Sequence, residues 1–180
     1  MKLPSATSYA FWLALLRIYA GAFWLMHGIP KFTQSAMFMP PTGMMTTFIN
    51  TAITNTHGPY QAFLTNIVLP NASIFAEMVR LGEVVTGSLL LLGLFSRWGA
   101  LLGVLLSLNY LSAHGGLMHL SVWSGIDSTA LVLSLVSFVL PTGLVLGVDG
   151  LLARAKGRPA TQKAVFVEEP PMTGPTAPTA

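Results

Sequence analysis

At 180 residues, 53% hydrophobic and 8% charged, with a mean hydropathy of +0.66, the chain is far more apolar than a soluble domain, where about a quarter of residues carry charge. Hydrophobic runs of roughly twenty residues, broken by turn residues, predict an all-α polytopic membrane protein built as one four-helix transmembrane domain. With no cysteine, the chain has no disulfide, thiolate metal site or thiol redox chemistry of its own, and nothing in it predicts a nucleic-acid partner.

The first span is expected over residues 9–29, with Trp12 near its start and Trp24 near its end as interfacial aromatics. Its length and the internal Arg17 set it apart from a cleavable leader. Pro30 marks where regular helix should fail. Residues 33–73 form a long connection without Lys, Arg, Asp or Glu. Two pieces of it have helical periodicity: Met44, Phe48, Ile49, Ala52, Ile53, then Tyr60, Phe63, Leu64, Ile67, Val68. They predict short amphipathic helices lying on the membrane surface or over the mouth of the bundle.

The second span is expected over residues 74–95 and holds Glu77, Arg80 and Glu83 on one face. Ser96-Arg97 is a tight turn into the third span, 98–113, where Gly99, Gly103 and Ser107 form a smooth strip for a packed neighbour. Asn109 and Tyr110 lie near its end, followed by His114 and His119. The fourth span, 125–140, carries Asp127 in its first turn and ends at Pro141. A short interfacial helix capped by Asp149 is expected to close the domain, residues 1–156. The Pro-, Thr- and Ala-rich tail, 157–180, should be disordered alone and is a candidate contact for other subunits of a membrane complex. Lys2, Arg97, Arg154, Lys156, Arg158 and Lys163 all fall on one side, which predicts a bacterial inner membrane protein with both termini cytoplasmic.

An ionisable group at bilayer depth costs about 2.5 kcal/mol or more, so such groups face the bundle interior and find partners. Arg17 and Glu83 are expected at comparable depths, forming with Arg80 a buried charge clasp. His27, Lys31, Glu77, Arg80, Asn109, His114 and Asp127 would line a polar funnel opening outward and closing on aliphatic side chains inward. Three uses are open: a register-fixing clasp without ligand, a pocket for a polar head group or small anion, or a proton path through Glu77 and Glu83. The last lacks a matching carboxylate toward the inner face. His114 and His119, with no acidic cluster beside them, do not predict a metal site.

Arg17-x3-Gly21, His27-Gly28-x2-Lys31-Phe32, Glu83-x3-Gly87 and Gly93-Leu94-Phe95-x-Arg97 together resemble the DoxX/DoxD family of small four-helix membrane proteins. The long outer connection is more similar to the DoxD type, the small subunit of a thiosulfate:quinone oxidoreductase. The resemblance covers roughly residues 10–150. It implies a redox-associated subunit, quinone as a candidate cofactor, and a separate catalytic partner. The competing expectation is a non-catalytic accessory subunit docked on a larger respiratory or photosynthetic complex.

Overall fold

The computed structural model describes residues 6–115, 123–140 and 142–155; within them the chain is helical and holds no strand. Helix α1 (Ala6–Thr33) is followed by the short α2 (Ser35–Phe38), then α3 (Met44–Asn55) and α4 (Gly58–Phe63). α4 runs on as a π-turn over Leu64–Val68, closed where the Leu69 amide reaches the Leu64 carbonyl at 2.8 Å. Then come α5 (Ala72–Leu92), α6 (Ser96–Ala113), α7 (Ile126–Val139) and α8 (Val148–Ala155). α1 continues through Pro30, contrary to the expected break. A proline in the last turn removes a single backbone bond, and the helix absorbs that loss there.

Four helices close a ring in which α1 packs on α5, α5 on α6, α6 on α7 and α7 back on α1. The tightest contact is backbone on backbone. A Cβ at Gly21 would sit 2.9 Å from the Gly87 carbonyl oxygen, and one at Gly87 would sit 2.9 Å from the Gly21 carbonyl oxygen. Only glycine permits that approach. The Gly99, Gly103 and Ser107 strip is used in the same way inside the fold: all three are buried, and Gly99 faces Leu89.

α3 and α4 pack over one end of this ring as a lid. Phe38, Met45, Ile49, Ala52, Leu64 and Val68 form a core with Ala72 and Ala76 at the start of α5. Of the two placements open to the amphipathic pieces, the structure thus has them capping the bundle. A second core joins Ala20, Trp24, Leu90, Ala100, Ala130 and Leu133. Trp24 is therefore no interfacial aromatic: it is 2% exposed and donates its indole N–H to Ser134 Oγ at 3.1 Å. Its face of α1 is turned to α7, where a buried indole finds its partner.

The end opposite the lid is closed by Arg17 and Asp149. Gly93, at φ 63°, ends α5, and the Leu94 amide reaches back to the Leu89 carbonyl at 3.1 Å. Two non-glycine residues there, Phe95 and Leu146, hold left-handed backbone at φ 46° and 51°. Such a residue costs about 1–2 kcal/mol and persists only when its surroundings impose it. Asp149 imposes the first, accepting the Phe95 amide at 2.8 Å, the Ser96 amide at 3.0 Å and the Ser96 hydroxyl at 2.8 Å. Arg17 imposes the second, donating to the Leu146 carbonyl at 2.8 Å. Asp149 thus caps α6, whereas the sequence assigns it to α8; its place in the first turn of α8 is what carries it there.

The surface of the ring is apolar. Trp12, Tyr19, Met26, Met78, Leu81, Leu105, Val132 and Val139 are exposed, while Arg17 and Glu83 are 0% and 1% exposed. By length and composition, one helix suffices to cross a membrane, over Tyr9–Thr33 at hydropathy 1.4. α5 carries three charged residues, and α7 is apolar but has 14 residues.

The glycine contact makes a prediction. Gly21→Val should destabilise the purified protein by about 3 kcal/mol or more, because the intruding atoms meet backbone that cannot move aside. Gly82→Ala meets only the flexible end of Leu106 at 3.3 Å and should change stability by at most about 1 kcal/mol. Thermal unfolding in detergent separates the two.

Candidate functional site

Glu83 lies on α5 beneath the lid. Its Oε1 accepts from Lys31 Nζ at 2.5 Å and from the Tyr110 hydroxyl at 2.6 Å, so α1, α5 and α6 converge on one carboxylate. Its Oε2 is buried and has no hydrogen-bond partner. The Lys31 ammonium also lies 5.3 Å from the centre of the Phe38 ring and 5.9 Å from that of Tyr110. A buried carboxylate requires such compensation, since desolvation otherwise costs several kcal/mol.

The expected clasp is not formed. Arg17 does not share a depth with Glu83, and Arg80 does not pair with it. The glycine contact sets the register: Gly28 faces Glu83, with a Cβ there 3.0 Å from Glu83 Cβ, and Arg17 lies against Gly93 instead. Arg17 and Gly28 are eleven residues apart on α1, roughly 16 Å along the axis. Arg80 turns back along its own helix, its Nε donating to Glu77 Oε2 at 2.7 Å and its Nη2 to Glu77 Oε1. Nη1 reaches Ser35 Oγ at 3.2 Å, and the guanidinium lies 4.5 Å from the centre of the Phe32 ring. Burial still demands neutrality, and among the described residues Lys31 pairs with Glu83 and Arg80 with Glu77, while Arg17 has no carboxylate in contact and lies in the field of Asp149.

Around Glu83 stands a second polar layer. His114 Nδ1 lies 3.1 Å from Asp127 Oδ2 and 3.0 Å from the Tyr110 carbonyl. Asp127 is within electrostatic reach of His27, Lys31 and His114. His27 keeps Nδ1 2.8 Å from the Phe23 carbonyl, its ring 4.4 Å from that of Phe23. Asn109 belongs to the lid contact, where its side-chain oxygen accepts from the Tyr60 hydroxyl at 3.0 Å. Burial pushes the Tyr60 phenol upward, so it stays protonated and remains a donor there. His119 and the tail fall outside the described residues.

The structure therefore joins Lys31 and Glu83, sets His27, His114 and Asp127 beside them, and leaves Glu77 with Arg80 as a lid-side brace. Tyr110 is the site residue undervalued by sequence reasoning. Its signal was its spacing: it follows Ser107 by three positions on the buried face of α6. A cavity of about 300 Å³ opens elsewhere, on α7, lined by Trp123, Ser128, Thr129, Val132 and Leu133. Among the described residues, no three His, Asp or Glu side chains cluster closely enough to hold a metal ion.

A family model for DoxX matches residues 12–115, from the first turns of α1 to the end of α6. The chain belongs to the DoxX family. Its members are membrane proteins, generally associated with redox processes. No curated protein and no solved structure matches the chain. Lys31, Glu83 and Tyr110 all lie inside the matched stretch of this DoxX protein, whereas Asp127 and Asp149 lie beyond it.

A double-mutant cycle tests the pairing. Lys31→Met leaves a buried carboxylate without its cation and should cost about 3–5 kcal/mol. Lys31→Met with Glu83→Gln should recover most of that loss, because no net charge then stays buried. Unfolding of Lys31→Met, Glu83→Gln and the double variant in detergent gives the coupling directly.

Proposed function

We propose that this DoxX-family chain is a redox-associated subunit crossing a bacterial cytoplasmic membrane four times, with both termini inside and a quinone head group held under the lid. The observation that carries the ligand is Glu83: a buried carboxylate with one oxygen committed to Lys31 and Tyr110 and the other unpartnered. A quinol hydroxyl is the kind of donor that oxygen lacks, while Lys31 and Tyr110 are donors suited to a quinone carbonyl. The same negative charge disfavours a small anion. Phe38 and the Tyr110 ring beside Lys31 supply apolar surface for a flat ring.

Four crossings are supported by the apolar exposed belt of α1, α5, α6 and α7 around buried Arg17 and Glu83. The one-sided basic residues support the orientation. The long connection between α1 and α5 fits the DoxD type. With no cysteine to carry them, electrons would pass through a bound cofactor or a partner. An accessory subunit within a larger membrane complex is the second reading, and co-migration with other subunits in mild detergent favours it over a free-standing protein.

Equilibrium binding of a short-chain ubiquinone to the purified full chain tests the ligand. Lys31→Met and Glu83→Gln should each weaken binding at least tenfold, while the exposed His57→Ala leaves it unchanged. Equal affinity in both site variants ends the quinone reading, and competition by thiosulfate moves it to a small anion. The cysteine-free background allows a topology test as well. Thr54→Cys should react with a membrane-impermeant maleimide from outside, and Arg97→Cys only after the inner face is opened.

A further inference from the structure

We propose that the interior of the bundle holds a hydrated column of hydroxyl groups that relays protons between Asp149 at one end and Glu83 at the other. The inference rests on the membrane-spanning reading above and not on the identity of the ligand.

Thr86, Ser107, Ser134 and Ser137 are each 0% exposed. The hydroxyls of Thr86, Ser107 and Ser137 have no hydrogen-bond partner, although a helical Ser or Thr ordinarily bonds back to its own helix. Ser134 accepts the Trp24 indole N–H, which leaves its own proton to donate. Glu83 Oε2 above them and Arg17 Nε and Nη1 below them are also buried and unpartnered. A buried hydroxyl left unmade costs about 1–3 kcal/mol, so a native interior satisfies such groups with ordered water.

The groups form a line. Thr86 is three residues from Glu83 on α5, and Ser107 is three residues from Tyr110 on α6. A Cβ at Gly103, one further turn along α6, would lie 2.6 Å from Ser134 Oγ and 3.1 Å from Thr86 Cγ2, so α5, α6 and α7 meet at that level. Ser137 is three residues on along α7, and its carbonyl is 3.5 Å from Thr142 Oγ1. A Cβ at the adjacent Gly143 would lie 2.6 Å from Asp149 Oδ2 and 3.0 Å from Ser96 Cβ. Ser96 then donates to Asp149 Oδ2 at 2.8 Å. Glu83 and Thr86 on α5, and Ser134 and Ser137 on α7, are each about one helical turn apart, ~5 Å. A water making two bonds of about 2.8 Å spans that gap.

Transfer along such a column is balanced at every step. Each hydroxyl or water takes a proton on one side and gives its own on the other, so one proton entering at Asp149 delivers one at Glu83, with no electron moved. The titratable and charged groups facing the path are Arg17 and Asp149 at one end, and Lys31, Glu83 and Tyr110 at the other. Asp149 supplies the inner carboxylate that the sequence leaves unidentified.

The full chain reconstituted in vesicles containing a pH-sensitive dye tests the relay, with no quinone present. An imposed pH gradient should collapse several-fold faster than in protein-free vesicles. Ser107→Ala should lower that rate at least threefold, and Ser107→Thr, which keeps the hydroxyl, should preserve it. A triple variant of Thr86→Val, Ser107→Ala and Ser137→Ala with unchanged helicity should fall to the protein-free rate. A wild-type rate equal to that of empty vesicles, or equal rates in Ser107→Ala and wild type, overturns the relay. A wild-type chain that binds ubiquinone but carries no flux refutes the column alone; one that carries flux but binds no ubiquinone refutes only the ligand. Maleimide labelling of Thr54→Cys and Arg97→Cys in the same vesicles separates either result from a failure to span.

Discussion

The approach of α1 and α5 at Gly21 and Gly87 sets the axial register of the first helix on the second, and the register decides which buried charges meet. With backbone against backbone, neither helix can slide by a turn without driving a side chain into a carbonyl. Gly28 is thereby held opposite Glu83, so Lys31, one turn on, reaches the carboxylate. Arg17 is carried to the far end, where Gly93 and Gly147 leave room for its guanidinium. The placement of Lys31 and Arg17 thus follows from a contact made by residues with no side chain.

That placement gives the two ends different physics. At the lid end the carboxylate is shared among a cation, a phenol and an unsatisfied position, beside His114 and Asp127. At the opposite end Arg17 and Asp149 spend their hydrogen bonds on backbone: they hold Leu146 and Phe95 in left-handed conformations and cap α6. Both ends keep unpartnered buried atoms, Glu83 Oε2 at the lid end and Arg17 Nε and Nη1 at the other, but only the far end uses its remaining bonds to fix backbone. Substitution at the opposite end therefore costs stability, because two left-handed residues depend on it.

Between the ends, the interior departs from a dry aliphatic core. Ala20, Trp24, Leu90, Ala100, Ala130 and Leu133 provide packing, yet Thr86, Ser107, Ser134 and Ser137 thread the same volume. Small side chains allow the four helices to close tightly in a setting where exclusion from water does not drive helices together. Their hydroxyls make that interior polar enough to hold water.

The helical class, the placement of the main helices and the burial of Arg17 and Glu83 were legible in the sequence, because apolar periodicity and the cost of an ion in lipid are local properties of a segment. The amphipathic pieces at Met44 and Tyr60 were legible for the same reason. The partners were not. Depth counted along each span put Arg17 level with Glu83, and only the packed register separated them by roughly three turns. Asp149 as the cap of α6, Trp24 in the core and Tyr110 on the carboxylate all depend on contacts between residues far apart in the chain. A sequence states which groups must be neutralised, and tertiary packing, through the geometry of glycine contacts, decides by which neighbour.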